Sequence, residues 1–152
     1  MKKTLIAAAA CAAFLAPAAL GDVNGSIQKL GDDASSFHAM LLADGQKLLA
    51  DVQSVQGSKD KAAGKALIAA DLQKLKADMQ AAHQALSGDR AQLQADLQAL
   101  KSGAKPGKAA AQALRQGLQQ LHATLDAQRQ DVKASNDATK QALDALKASL
   151  HK

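Results

Sequence analysis

The chain has 152 residues and one cysteine, with 19 Lys and Arg against 14 acidic residues, all of them Asp, for a formal net charge of +5. It holds no Trp or Tyr and only two Phe, which weighs against sugar-stacking and base-stacking sites. A mildly basic balance suits solubility and anionic surfaces but is no nucleic-acid signature, and a chain this rich in Ala predicts a thin core made by close helix approach.

The first residues read as a secretory leader over residues 1–21. Lys2 and Lys3 form a positive start, Leu5 to Leu15 is an uncharged apolar run, and Ala16-Pro17-Ala18-Ala19-Leu20-Gly21 supplies small residues for a peptidase. The run is shorter than the roughly 20 residues that span a bilayer, so removal is expected to leave no transmembrane segment. Cleavage after Gly21, with Ala19 and Gly21 as the small pair, is the favoured site, and cleavage after Ala18 is the alternative. The Lys-Lys-Thr opening resembles bacterial export signals, which implies the periplasm or the exterior. Cys11 lacks a Leu three positions upstream, where Ala8 stands, and is read as a spectator and not a lipidation site. The processed chain, 22–152, then carries no thiol and no disulfide. Its charge is 17 basic residues (19 less Lys2 and Lys3) minus 14 Asp, or +3.

The rest reads as one helical domain with helices over about 33–56, 59–101 and 108–150. Asp22 to Ser26 is expected to fray. Ile27, Leu30, Ala34, Phe37, Leu41, Leu48, Val52 and Val55 follow helical spacing. Gly31-Asp32-Asp33 interrupts that series, so Asp33 or Ser35 is expected to cap the first helix. Gly45 weakens its middle by about 1 kcal/mol relative to Ala. Gly57 marks its stop and Ser58 the next cap.

The second helix is the organising one. Leu72, Met79, Leu86, Leu93 and Leu100 recur every seven residues, and Ile68, Leu75 and Ala82 fill the intermediate positions. Ser87-Gly88-Asp89 could split this helix and give four in all, but Leu86 and Leu93 keep register across it, which favours continuity. Ala70-Asp71-Leu72-Gln73-Lys74-Leu75-Lys76 returns as Ala95-Asp96-Leu97-Gln98-Ala99-Leu100-Lys101, one near-repeat and no solenoid. Ser102 to Lys108, with Pro106 between two glycines, is a break. Leu114, Leu118, Leu121, Leu125, Val132, Thr139, Leu143, Leu146 and Leu150 then mark the third helix, softened by Gln128, Ser135 and Asn136, where a kink or restart is expected.

These elements predict an all-α fold: a long antiparallel hairpin of the second and third helices, with the first packed along one half as a three-helix bundle or coiled-coil-like assembly. Asp precedes a basic residue by three at Asp44/Lys47, Asp71/Lys74, Asp126/Arg129, Asp137/Lys140 and Asp144/Lys147. Each is read as a solvated pair worth about 0.2–0.5 kcal/mol.

No catalytic, cofactor or metal residue is assigned. The loop from Gly103 to Lys108 has three residues between its glycines where a phosphate-binding loop has four, and Ala109 stands where Ser or Thr would hold magnesium. Met79 with His83, or His38 with Met40, offers soft ligands for Cu(I), but Met79 falls in the column expected to be buried. His122 and Asp126 lack a nucleophile to serve. The expectation is a non-catalytic interaction or structural protein of the bacterial envelope that self-associates or pairs with another helical protein. Asp44, Asp89 and Gln128 would disfavour wrong registers. The alternatives are a peripheral binder of lipid headgroups or polyanions through Lys101, Lys105 and Lys108, or a periplasmic metal binder. No specific nucleic acid is expected.

Overall fold

A computed structural model describes the backbone of residues 4–57, 61–103 and 105–150, and the side chains of 19–56, 62–103 and 105–149. Three helices make up the fold: α1 (Thr4–Gly57), α2 (Lys61–Ser102) and α3 (Lys108–Leu150). The long helices pack together as an all-α three-helix bundle. The expected cap at Ser58 and the tail at His151 lie outside the described residues.

The helices are long because strong helix formers dominate them, although α1 also carries Pro17, Gly21, Gly25, Gly31 and Gly45. Ala, Leu, Gln and Lys are strong helix formers, and Pro106 stands in the connection before α3. Two expected interruptions are absent. Asp22 to Ser26 and Gly31-Asp32-Asp33 all lie inside α1. Asp33 does not cap a terminus; Lys29 Nζ, one turn earlier, donates to its Oδ2 at 2.7 Å. Leu30 and Ala34 on either side are buried, so tertiary burial carries the helix through a weak local sequence. Likewise α2 is a single helix across Ser87-Gly88-Asp89, and α3 shows no restart at Ser135-Asn136-Asp137.

Two compact units share these helices. The first takes α1 as far as Asp33, α2 from Ala85 and α3 up to Leu125. Its core joins Val23 and Leu30 of α1 to Leu93 and Leu100 of α2 and Leu121 of α3, with Ala19, Leu20 and Ile27 packed against it. Ser26 Oγ donates to Asp96 Oδ2, and Gln92 Nε2 donates to Asp96 Oδ1 at 2.8 Å. The second unit takes Ala34–Gln84 and the chain from Asp126 onward. Its core joins Leu48, Val52 and Val55 of α1 to Ile68 and Leu75 of α2 and Leu146 of α3.

The largest fully buried side chains, Leu30, Leu48, Val23 and Val52, all belong to α1. The expectation that α1 lies along one half of an α2–α3 hairpin is therefore corrected: α1 contributes to the core of both units. Its apolar residues cover a wide arc, with Leu42 and Leu49 beside the predicted series, and a helix flanked by two neighbours must bury such an arc.

The soft polar positions in α3 find partners. Gln128 Nε2 donates to Ser35 Oγ at 3.0 Å, and the buried Thr139 hydroxyl donates to the Ser135 carbonyl at 2.9 Å. At the break, the Gly103 N–H and the Ser102 hydroxyl both donate to the Ala99 carbonyl, closing α2. The Ala111 N–H donates to the Gly107 carbonyl at 2.9 Å, opening α3.

Candidate interaction face on the second helix

In the second unit the buried seam of α2 runs through Ile68, Leu75 and Ala82, the positions read from sequence as intermediate. The column expected to be the core lies elsewhere. Leu72 is 39% exposed and Met79 41%, against 8% for Leu75. At about 100° per residue, Leu72 and Met79 sit roughly 40–60° round the helix from Leu75. A seven-residue column drifts about 20° per heptad on a straight helix, so one column cannot face one partner throughout. In the first unit Leu93 and Leu100 are buried.

A broad trough of about 850 Å³ runs along this uncovered face, lined by Leu72, Leu75, Lys76, Met79, Gln80 and His83. Lys65, Lys76 and His83 are exposed and lie on the same side of the seam, roughly 80–100° from Leu75. Among the described residues of α2 in this unit, no carboxylate shares that side. Asp71 and Asp78, the carboxylates of this half of α2, lie on the opposite edge. There Lys47 of α1 reaches Asp71 at 2.6 Å, and Lys74 reaches Asp78 at 2.7 Å. On α2 the face is thus apolar at its centre, with Lys65, Lys76 and His83 along one border. Leu67 is also exposed, at 45%, but lies across the seam from the trough.

The lysine clasps explain this segregation. Lys47 bridges Asp51, four residues on, and Asp71 across the helix pair; Lys74 bridges Asp78, four residues on, and Asp44 across it. In the first unit Lys29 bridges Asp33 and Asp89 in the same manner. The cross-helix carboxylates are largely withdrawn from solvent, with side-chain exposures of 12%, 11% and 11% for Asp44, Asp71 and Asp89. Each keeps a second oxygen without a hydrogen-bond partner among the described residues. Such half-satisfied carboxylates with exposed lysines add little net stability, but they penalise any register that separates them. The clasp hydrogen bonds hold Asp33, Asp51 and Asp78 below the usual carboxylate range, Lys29, Lys47 and Lys74 being the respective donors. The same bonds raise the three lysines above their ordinary value, the larger cause being Asp33 for Lys29, Asp51 for Lys47 and the cross-helix Asp44 for Lys74.

Three-apart pairing is therefore corrected in most places. Asp44 and Asp71 pair across helices and not with Lys47 and Lys74 of their own turns. Among the described residues only Asp144–Lys147, at 3.6 Å, closes as expected. The missed signal is a repeat. Ala43-Asp44-Gly45-Gln46-Lys47-Leu48-Leu49-Ala50-Asp51 returns as Ala70-Asp71-Leu72-Gln73-Lys74-Leu75-Lys76-Ala77-Asp78, an offset of 27 (71 less 44). In an antiparallel pair two copies of such a segment are self-complementary, so Lys47 meets Asp71 while Lys74 meets Asp44.

The other residues singled out are placed as follows. Asp89, expected to specify register, is buried and held by Lys29; Asp44 is held by Lys74. His38 Nε2 lies 3.3 Å from Asp131 Oδ2, across from α3 and away from Met40 as a ligand partner. Met79 is exposed beside His83 and not buried. His122 and Asp126 are both exposed, with no ion pair between them among the described residues. Lys101, Lys105 and Lys108 are exposed. Among the described residues no three His, Cys, Asp or Glu side chains converge as a metal site would need, and no helix is long and apolar enough to cross a membrane.

No protein-family model matches this chain, and neither a curated protein nor a solved structure matches it.

Proposed function

We propose that this chain is an exported helical protein of the bacterial envelope that acts by contact and not by catalysis, and that the Leu72–Met79 face of α2 is its binding surface. The partner this face suits is an amphipathic helix with apolar residues at heptad spacing and acidic residues on its flanks. The single observation that carries the reading is the pairing of uncovered apolar side chains with a border of Lys65, Lys76 and His83, the described carboxylates of this half of α2 lying on its other edge. Leu and Met side chains left in water are a favourable surface to cover, Met adapts its shape to varied partners, and the two lysines would select acid over base in the partner and speed its approach. The leader pattern of residues 1–21 supports export.

The test uses fluorescence anisotropy with a synthetic helix of Leu and Glu heptads, and a control in which Lys replaces every Glu. The Glu peptide should bind and the Lys peptide should not, with affinity falling as salt rises. Leu72→Asp or Met79→Asp should abolish binding, and Lys76→Glu should weaken it. Binding indifferent to these substitutions, or none at all, overturns the proposal. Sedimentation with phosphatidylglycerol vesicles in the absence of peptide binding would reassign the face to lipid headgroups.

A further inference from the structure

Two cuts in the leader offer a peptidase small residues at the required spacing. Ala16 and Ala18 form one small pair, Ala19 and Gly21 the other. What separates them is what the folded chain does with the residues between the two sites. Ala19 and Leu20 are half-buried and pack against the first unit's core of Val23, Leu30, Leu93, Leu100 and Leu121. Val23 is completely buried. On a helix the preceding turn covers a residue, so Ala19 and Leu20, four and three positions earlier, are the natural cover of Val23.

A cut after Gly21 removes that turn. It places a charged ammonium on Asp22, one residue from a side chain with no solvent contact, and exposes N–H groups that the lost turn had held in helix. A cut after Ala18 keeps the cover. It also leaves Asp22 in the first turn of the new helix, where a carboxylate complements the positive end of the helix.

From this we infer that the chain is processed between Ala18 and Ala19, the Ala16-Pro17-Ala18 segment being the recognition site. Peptide hydrolysis there consumes one water, giving the Ala18 carboxylate and the Ala19 amine. The inference rests on the export reading above and reverses the preference that the sequence alone gave for Gly21.

The test is to produce the full chain, leader included, in a Gram-negative host and to measure intact mass and amino-terminal sequence in the periplasmic fraction. The expected product begins at Ala19. A substitution at residue 21 should fold, because a Cβ on Gly21 meets nothing within 4 Å. Gly21→Leu should therefore leave the cut unchanged, whereas Ala18→Leu should stop it or move it. A wild-type product beginning at Asp22, or a block by Gly21→Leu, overturns the assignment while leaving export intact. Uncleaved chain confined to the cytoplasm overturns the export reading, and the site with it.

Discussion

Alanine at Gly64 and at Gly88 offers the same local gain and meets opposite surroundings. Replacing a helical Gly by Ala is worth about 1 kcal/mol from backbone propensity. At Gly88 a Cβ would meet nothing within 4 Å, so the full gain should appear, a rise in Tm of about 2–4 °C for a chain of this size. At Gly64 the Cβ would lie 2.5 Å from Val55 Cγ2, 2.7 Å from Cγ1 and 3.2 Å from Cβ. Val55 is 4% exposed and β-branched, so its χ1 has little freedom to swing away. Overpacking of this kind costs about 1–3 kcal/mol. Set against the propensity gain, Gly64→Ala should come out between about neutral and 2 kcal/mol destabilising. Thermal and urea unfolding followed by far-ultraviolet circular dichroism would read both variants. Val55→Ala in the Gly64→Ala background should relieve the conflict, giving a coupling of about 1 kcal/mol or more in a double-mutant cycle. If Gly64→Ala stabilises as much as Gly88→Ala, or the two substitutions simply add, then α1 and α2 do not approach as described.

Other substitutions and conditions separate the core from the binding face and the clasps from both. Leu48→Ala, at a fully buried position, should cost about 2–5 kcal/mol in urea unfolding. Leu72→Ala should stay within about 1 kcal/mol of wild type while weakening peptide binding. Lys47→Asp gathers carboxylates around Asp51 and Asp71 and should lower the unfolding midpoint; adding Asp71→Lys should recover part of it, and no recovery would remove the register role assigned to the clasp. Because Asp33, Asp51 and Asp78 are held below their ordinary value of 3.8 by Lys29, Lys47 and Lys74, their contribution is present above that value and lost as pH falls through the lowered ones. The lysines, raised above 10.5, contribute below that value and lose it as pH climbs through the raised ones. Unfolding midpoints should therefore fall at both extremes, with a smaller acid arm in high salt; a flat profile would show that the clasps contribute nothing.

The sequence by itself determined that the chain is helical and favoured three helices over four. Period, composition and the Gly-Pro-Gly break at 103–107 sufficed, because helix propensity and apolar spacing act within a few residues of one another. It also fixed the end of α2 within a residue and the start of α3 at Lys108. The charged positions that mattered, Asp44 and Asp89, were visible as polar interruptions of apolar stripes. Only the tertiary structure decided which stripe was buried. Leu72 and Leu75 are equivalent as residue types and lie on adjoining tracks of α2, yet one is open and the other closed. That choice depends on where α1 lies, and a helix carries no local signal of its neighbour's azimuth. The same holds for Lys47, whose partner across the helix pair, Asp71, lies 24 residues away; pairing at that distance is set by the register of two packed helices, whereas local spacing offers Asp51, which pairs, and Asp44, which does not.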